Sequence, residues 1–387
     1  MGLFLDLINV PVRVCNDALE GIYKALSDGH GHGDDGIWKP HQSPLLKRLV
    51  ELFTQRGLDR LSAVKASLLA WEAGHLHQPS PLPAPLPAGS LQRWSADELS
   101  LANLYLRSLP PAQWTLDDHM LCIDMVVQTH LPVEYLQLES EWLVVRAGMM
   151  GKVQANMDAD ATAKQADKVL AALPSTVTGA VVQFALLPIH RATLEFARVR
   201  AAENVRALTD AVRHKMRSLI TADLEQKAFG IAPPGTSSLE AQLFDAFGDL
   251  NRDWRRIAVT EAGEAQTQGY IASLAAGTKV KRVELYENAC AFCRKIDGVV
   301  MTVVAADAPN KDPDTMVWPG KNNLGRSASP RKRVGDLLVE REPEEMWQIP
   351  AGLAHPHCRG RWVPVITDAP GDDPEFGDWL RATLGSS

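Results

Sequence analysis

The sequence has few cysteines, no long apolar run and no surplus of positive charge, and each shortage removes a class of function. Five cysteines in 387 residues form an odd, sparse set that does not make a disulfide framework. No stretch approaches the roughly 18 apolar residues that a membrane span needs. The opening MGLFLDLINVPVRVC lacks a basic leader region and is interrupted by Asp6, so it reads as an amphipathic element and not as a signal peptide. Asp6 also stands where myristoylation wants Ser or Thr. The net charge is −7, so the surface as a whole does not grip nucleic acid. Neither H-E-x-x-H nor H-x-E lies near the cysteines to supply a general base.

What remains is ordinary for a soluble globular chain, with 45% apolar and 22% charged residues. The length predicts two or three domains. Residues 1–78 read as an N-terminal helical region. In SPLLKRLVELFTQRGLDRLSAVKASLLAWEAG the apolar residues recur at helical spacing and Gly57 breaks the pattern once. The preceding SDGHGHGDDG reads as a loop in which His30 and His32 lack a third ligand. Residues 79–90, from QPSPLPAPLPAGS, carry proline at nearly every second position and form a semi-rigid linker.

Residues 91–185 read as a helical domain. Ser95 with Glu98, and Thr115 with Asp117 and Asp118, open helices as capping boxes. Cys15 and Cys122 sit in apolar helical context as small buried hydrophobes, and His119 and His130 read as structural histidines. Residues 186–277 form a long helical hairpin. Its first helix, about 40 residues and some 60 Å long, carries Val205, Leu208, Val212, Met216, Leu219 and Leu224 on one stripe. Gly230 and Pro233-Pro234-Gly235 end it. Ser237 with Glu240 starts the second helix, which stops at Gly277.

Residues 278–366 form a small β domain. KVKRVELYE is a first strand with Val283 and Leu285 on one face, VVMTVV at 299–304 a second, and RWVPVI at 361–366 a third, placed at an edge by Pro364. A long loop separates the last two. Residues 367–387 are an acidic tail. The fold class is α+β, mostly α.

The β domain holds the chemistry. Cys290-Ala-Phe-Cys293 lies between the first two strands, where a C-x-x-C turn aims two thiolates at one point. His355 and Cys358 repeat the i, i+3 spacing some sixty residues on. Cys290, Cys293, His355 and Cys358 are therefore the expected ligands of one structural Zn2+, which staples the sheet across the long loop. Four protein ligands describe a closed site, whereas a catalytic zinc keeps one position open for water. The plain alternative is three reduced thiols in a small core.

In this order the pieces resemble a known family. A helix with RIAVTEAGEAQTQGY, then C-x-x-C-R-x-x-D-G, then H-P-x-C-R, is similar to the Mu F-like minor head proteins of tailed phages, also called head morphogenesis proteins. Against the family's R-x-x-A-x-T-E, Arg256, Thr260 and Glu261 match in type, with Ala258 one place early. Cys290, Cys293, Arg294, Asp297 and Gly298 match the second motif, and His355, Pro356, Cys358 and Arg359 the third. The chain departs at His357, where Asn is usual, and at Gly360, where a further Cys is usual. The resemblance covers roughly residues 185 to 366. It implies a non-enzymatic structural component of the virion, inside the capsid near the portal vertex after assembly in the host cytoplasm. It also implies the portal protein, the major capsid protein and, non-specifically, packaged DNA as partners, and no membrane.

Two rival functions remain. One is a zinc-containing nuclease or toxin-type enzyme, for which no His-Asn…His set or paired carboxylates stand near the cysteines; Glu261 and Glu264 read as a solvated helix face. The other is a DNA-binding module using Arg326, Arg331, Lys332 and Arg333 in GRSASPRKRVGD.

Overall fold

The computed structural model describes residues 44–78, 94–156, 163–184, 186–230, 239–284, 289–356, 358–365 and 374–385. The linker 79–90 and Cys15, His30, His32, Ser237, Leu285 and His357 lie outside them. The described chain is mostly helical, with a small C-terminal mixed sheet. No helix of it is long and apolar enough to cross a membrane. It divides into two compact units: one gathers the described parts of 1–52, 140–201 and 256–387, the other those of 53–139 and 202–255.

The second unit is helical. It takes in most of α1 (Pro44–Glu72), α2 (Ala96–Ser108), α3 (Leu116–His130), the start of α4 (Val133–Ala155), and parts of the two longest helices, Pro188–Phe229 and Leu239–Ala272. Both capping boxes form: Ser95 with Glu98 opens α2, and Thr115 with Asp118 opens α3. His119 Nδ1 lies 3.2 Å from Glu72 and His130 Nε2 2.8 Å from the Ser67 hydroxyl, so both are engaged structurally. Cys122 is buried as expected. Asp124, 1% exposed, accepts from Arg213 Nε at 2.6 Å and Arg217 Nη2 at 2.6 Å, a buried charge with two cations to meet it.

Gly57 corrects the sequence reading. α1 runs through it without a break. A Cβ at that position would lie 1.8 Å from Trp254 Nε1. Trp254 is fully buried and stacks on Phe53, with ring centroids 5.0 Å apart and planes 7° apart. The glycine makes room for the indole rather than ending the helix.

The first unit holds the rest of α4, α5 (Ala163–Ala172), α6 (Val177–Phe184), the first third of α7 (Pro188–Phe229), the C-terminal half of α8 (Leu239–Ala272) and the sheet. α4 and α8 cross at glycines. A Cβ on Gly269 would fall 2.2 Å from the Gly148 carbonyl oxygen, and one on Gly151 would fall 2.1 Å from the Gln266 carbonyl oxygen. Arg200 of α7 donates to Glu261 of α8 at 2.9 Å, and His190 Nε2 donates to the Ala272 carbonyl at 2.8 Å.

The sheet has the order β3-β2-β1-β6. β1 (Lys279–Val283) pairs antiparallel with β2 (Val300–Val303) and with β6 (Arg361–Pro364). β3 (Met316–Val317) adds in parallel to β2. The edge position of β6 explains why Pro364 is tolerated in a strand. Tyr270 and Ile271 of α8 pack with Val280, Met301, Val303 and Trp362 to form the sheet's core.

Three expectations change here. The buried face of β1 carries Val280 and Arg282, followed by buried Glu284, and not Val283. The stretch read as a long loop contains β3 and an antiparallel hairpin of β4 (Arg331–Val334) and β5 (Leu337–Glu340). The acidic tail contains helix Pro374–Gly385, which packs against α5. Its Phe376 and Leu380 are buried, and Phe376 and Trp379 meet Phe184 edge to face.

Candidate metal centre

Cys290 is the N-cap of the short helix α9 (Ala291–Ile296), and its sulfur accepts the Cys293 amide at 3.4 Å. This turn aims both sulfurs the same way. The second half repeats the geometry: Cys358 N donates to the His355 carbonyl at 3.1 Å, and Gly360 N donates to the Cys358 sulfur at 3.4 Å. The two halves meet. His355 Nε2 lies 3.2 Å from both the Cys290 and Cys293 sulfurs, and the Cys293 and Cys358 sulfurs are 3.9 Å apart. No disulfide joins them. Thiolates about 2.3 Å and an imidazole about 2.0 Å from one zinc would stand about 3.5–3.8 Å from one another. The cluster of Cys290, Cys293, His355 and Cys358 could therefore hold a metal ion.

The ligand atoms form two overlapping groups. Those of Cys290, Cys293 and His355 lie within 4.8 Å of one another, as do those of Glu284, Cys293 and Cys358. Cys293, fully buried, belongs to both. His355 Nδ1 donates to the Pro356 carbonyl at 2.7 Å. That leaves Nε2 for the sulfurs, as a metal-ligating imidazole requires. Trp347 stacks on the His355 ring at 5.5 Å between centroids, with Phe292 set edge-on against Trp347.

Electrostatics favour thiolate at two of the three sulfurs. The Cys290 thiol is held down at about 3 by hydrogen bonding from Cys293, against burial, with His355 helping. Cys358 lies well below its ordinary value although burial opposes it, because Cys293 donates to it and Arg282 and His355 are close by. Cys293, set against both of those sulfurs, is pushed up. His355 rises to about 9: burial opposes this, but the bond to Cys290 and the charge of Cys358 prevail.

Two buried residues escaped the sequence reading. Arg282 Nε donates to Glu284 Oε1 at 2.7 Å, Nη1 to the Gly352 carbonyl at 2.9 Å, and Nη2 points at the Cys358 sulfur at 3.7 Å. Burial, with Cys358 next, pushes the Glu284 carboxyl up to about 7. The signal lay in the alternation of Val280, Arg282 and Glu284 in KVKRVELYE, hidden because two opposite charges look like a solvated face.

Glu261 and Glu264 do not form a solvated helix face. Both are buried. Arg200 pairs with both, and Glu264 also accepts the Leu353 amide, two residues before His355. The four basic residues of the second rival are divided. Arg326 donates to the Met346 carbonyl and Lys332 pairs with Glu345. Arg331 and Arg333 are exposed on β4, without a side-chain ion pair among the described residues.

No family model, curated protein or solved structure matches the chain.

Proposed function

We propose that the chain is a non-enzymatic structural minor head protein of a tailed phage, of the Mu F-like kind, with Zn2+ held by Cys290, Cys293, His355 and Cys358. One observation carries this reading. The two motif halves of the resemblance, 62 residues apart between Cys293 and His355, meet with 3.2 Å between ligand atoms. Other motif residues are spent on holding the same region: Asp297 Oδ1 accepts the Glu284 amide at 2.8 Å, and Glu261 meets Arg200. Such use suits a scaffold. A zinc ion there staples α9 and the 355–358 turn across β2–β5. The contacts between α7 and α8 support the long helical hairpin, a surface suited to packing on the portal and major capsid proteins. Packaged DNA would meet Arg331 and Arg333. The place of action is the capsid interior near the portal vertex, reached from the host cytoplasm during assembly.

The test is the protein content of heads assembled with and without this chain. The expected result is its presence in finished heads, at a small fraction of the major capsid copy number, and defective heads in its absence. Absence from heads and procapsids sinks the reading. Zinc-dependent nicking of plasmid DNA, lost in Cys293→Ser, would favour the nuclease rival.

A further inference from the structure

We infer that Arg282, held by Glu284, offsets the surplus negative charge of the metal centre and so sets how tightly the centre keeps its metal; this rests on the metal reading above. Three thiolates and a neutral imidazole around a divalent ion leave one net negative charge. They leave it in a place where Cys293 and Cys358 are fully buried, so water does not screen it. The Arg282 and Glu284 side chains are fully buried as well. Arg282 is the cation aimed at this sulfur cluster from within the fold, 3.7 Å from Cys358.

The placement is over-determined. The guanidinium spends its other donors on Glu284 and on the Gly352 carbonyl, in the turn that leads to His355. Its face covers Trp362 at 5.3 Å, an apolar wall. Glu284 is fixed in turn by the bond from its amide to Asp297. Its carboxylate fills the space of a side chain at residue 360: a Cβ on Gly360 would lie 1.9 Å from Glu284 Oε1. Glu284 Oε2 stands 3.5 Å from the Cys358 sulfur. Without Arg282, a carboxylate and a metal-bound thiolate would face each other unshielded. A buried ion pair of purely structural use would act equally with and without metal; a guanidinium aimed at a ligand sulfur would not.

The experiment uses the full reduced chain and competition for zinc against a chromogenic chelator. Wild type, Arg282→Met, Arg282→Lys and the double variant Arg282→Met/Glu284→Gln are compared, and each is melted zinc-loaded and zinc-stripped. Arg282→Met should weaken zinc binding by about 10–100-fold, the range for groups that orient and tune metal ligands. Arg282→Lys should lose less, because it keeps the charge. The double variant should regain part of the affinity, because it also removes the bare carboxylate. The loss in melting temperature should be larger for the loaded than for the stripped protein. Zinc affinity of Arg282→Met within about threefold of wild type, or equal melting losses in both forms, overturns the inference. If Arg282→Met fails to fold, Arg282→Lys and the double variant decide between the same two outcomes. Wild type that binds no zinc overturns the metal reading as well; wild type that binds zinc with Arg282→Met unaffected overturns this inference alone.

Discussion

If the proposed zinc fills the Cys290, Cys293, His355 and Cys358 cluster, removing it from the full chain should melt α9 and the segments on either side of residue 357 while the helices stay folded. Two apolar cores divide the work. The one beneath the sheet, built on Tyr270, Ile271 and Trp362, contains no ligand. The one at the candidate metal centre buries Ala289, Ile296, Leu353 and Ala354 around Cys293 and Cys358, with Phe292 and Ile349 partly buried against it. Of the buried apolar residues Ile296 and Leu353 are the large ones, and fully burying such side chains stabilises by about 1.5–3 kcal/mol each. A structural zinc contributes about 10–16 kcal/mol of apparent binding energy. A zinc bound there would therefore outweigh those two side chains about two- to fivefold and rival the whole stability of a typical domain, about 5–15 kcal/mol. The assay is limited proteolysis with fragment mapping, in reductant, before and after chelation, with metal content measured on each sample. New cuts should appear within 289–298 and 352–360, while helical circular dichroism falls only slightly. Cys290→Ser should give the same fragments without chelator. A stripped chain, shown to contain no metal and cut as the loaded one is, would refute the argument.

Three further outcomes follow from particular contacts. Gly57→Ala should destabilise the chain by up to about 2 kcal/mol in urea, since about 1–3 kcal/mol of overpacking against Trp254 opposes the ~1 kcal/mol gain in helix propensity; a more stable variant would contradict the close contact. Lys321 is buried, donates to the Pro313 and Met316 carbonyls, and burial lowers its amine to about 8. Between that value and the ordinary one of about 10.4, the unfolded chain binds more protons, so its contribution to stability rises with pH across this window and the penalty on the charged form is complete below it. Stability of wild type relative to Lys321→Met should therefore climb from pH 7.5 to pH 10, and a flat difference would rule this out. If Arg331 and Arg333 touch DNA phosphates, the double alanine variant should reduce the salt slope of DNA binding by about 1.8, at about 0.9 per phosphate contact; an unchanged slope removes them from the interface.

The meeting of the Cys/His cluster was legible because two short i, i+3 repeats encode local turns, and local turns are what spacing specifies. The capping boxes at Ser95 and Thr115 were legible for the same reason. Residues whose partners are distant in sequence were not. Glu261 and Glu264 read as a solvated face and Arg282 and Glu284 drew no reading of their own, because a buried charge differs from an exposed one only by a partner the sequence does not place beside it. Arg200 lies 61 residues from Glu261. Gly57 read as a break because nothing local distinguishes a glycine that ends a helix from one that admits an indole 197 residues later. The tail helix was hidden by its acidic flanks; Phe376 and Trp379 find Phe184 only in the folded chain.

The crossing of α4 and α8 has a wider consequence. Main-chain atoms, not side chains, set the separation of the two helices at Gly151 and Gly269. A joint of that kind has no slack: rotamer changes cannot loosen it, and drift in neighbouring apolar residues cannot retune it. Tyr270 and Ile271, the next two residues along α8, are the floor of the sheet. The position of β1, and through Arg282 that of the Cys358 sulfur, is thus referenced to a backbone-on-backbone contact. Side chains across the rest of the unit are free to vary while that spacing is kept, and a single methyl group at Gly151 or Gly269 would shift it.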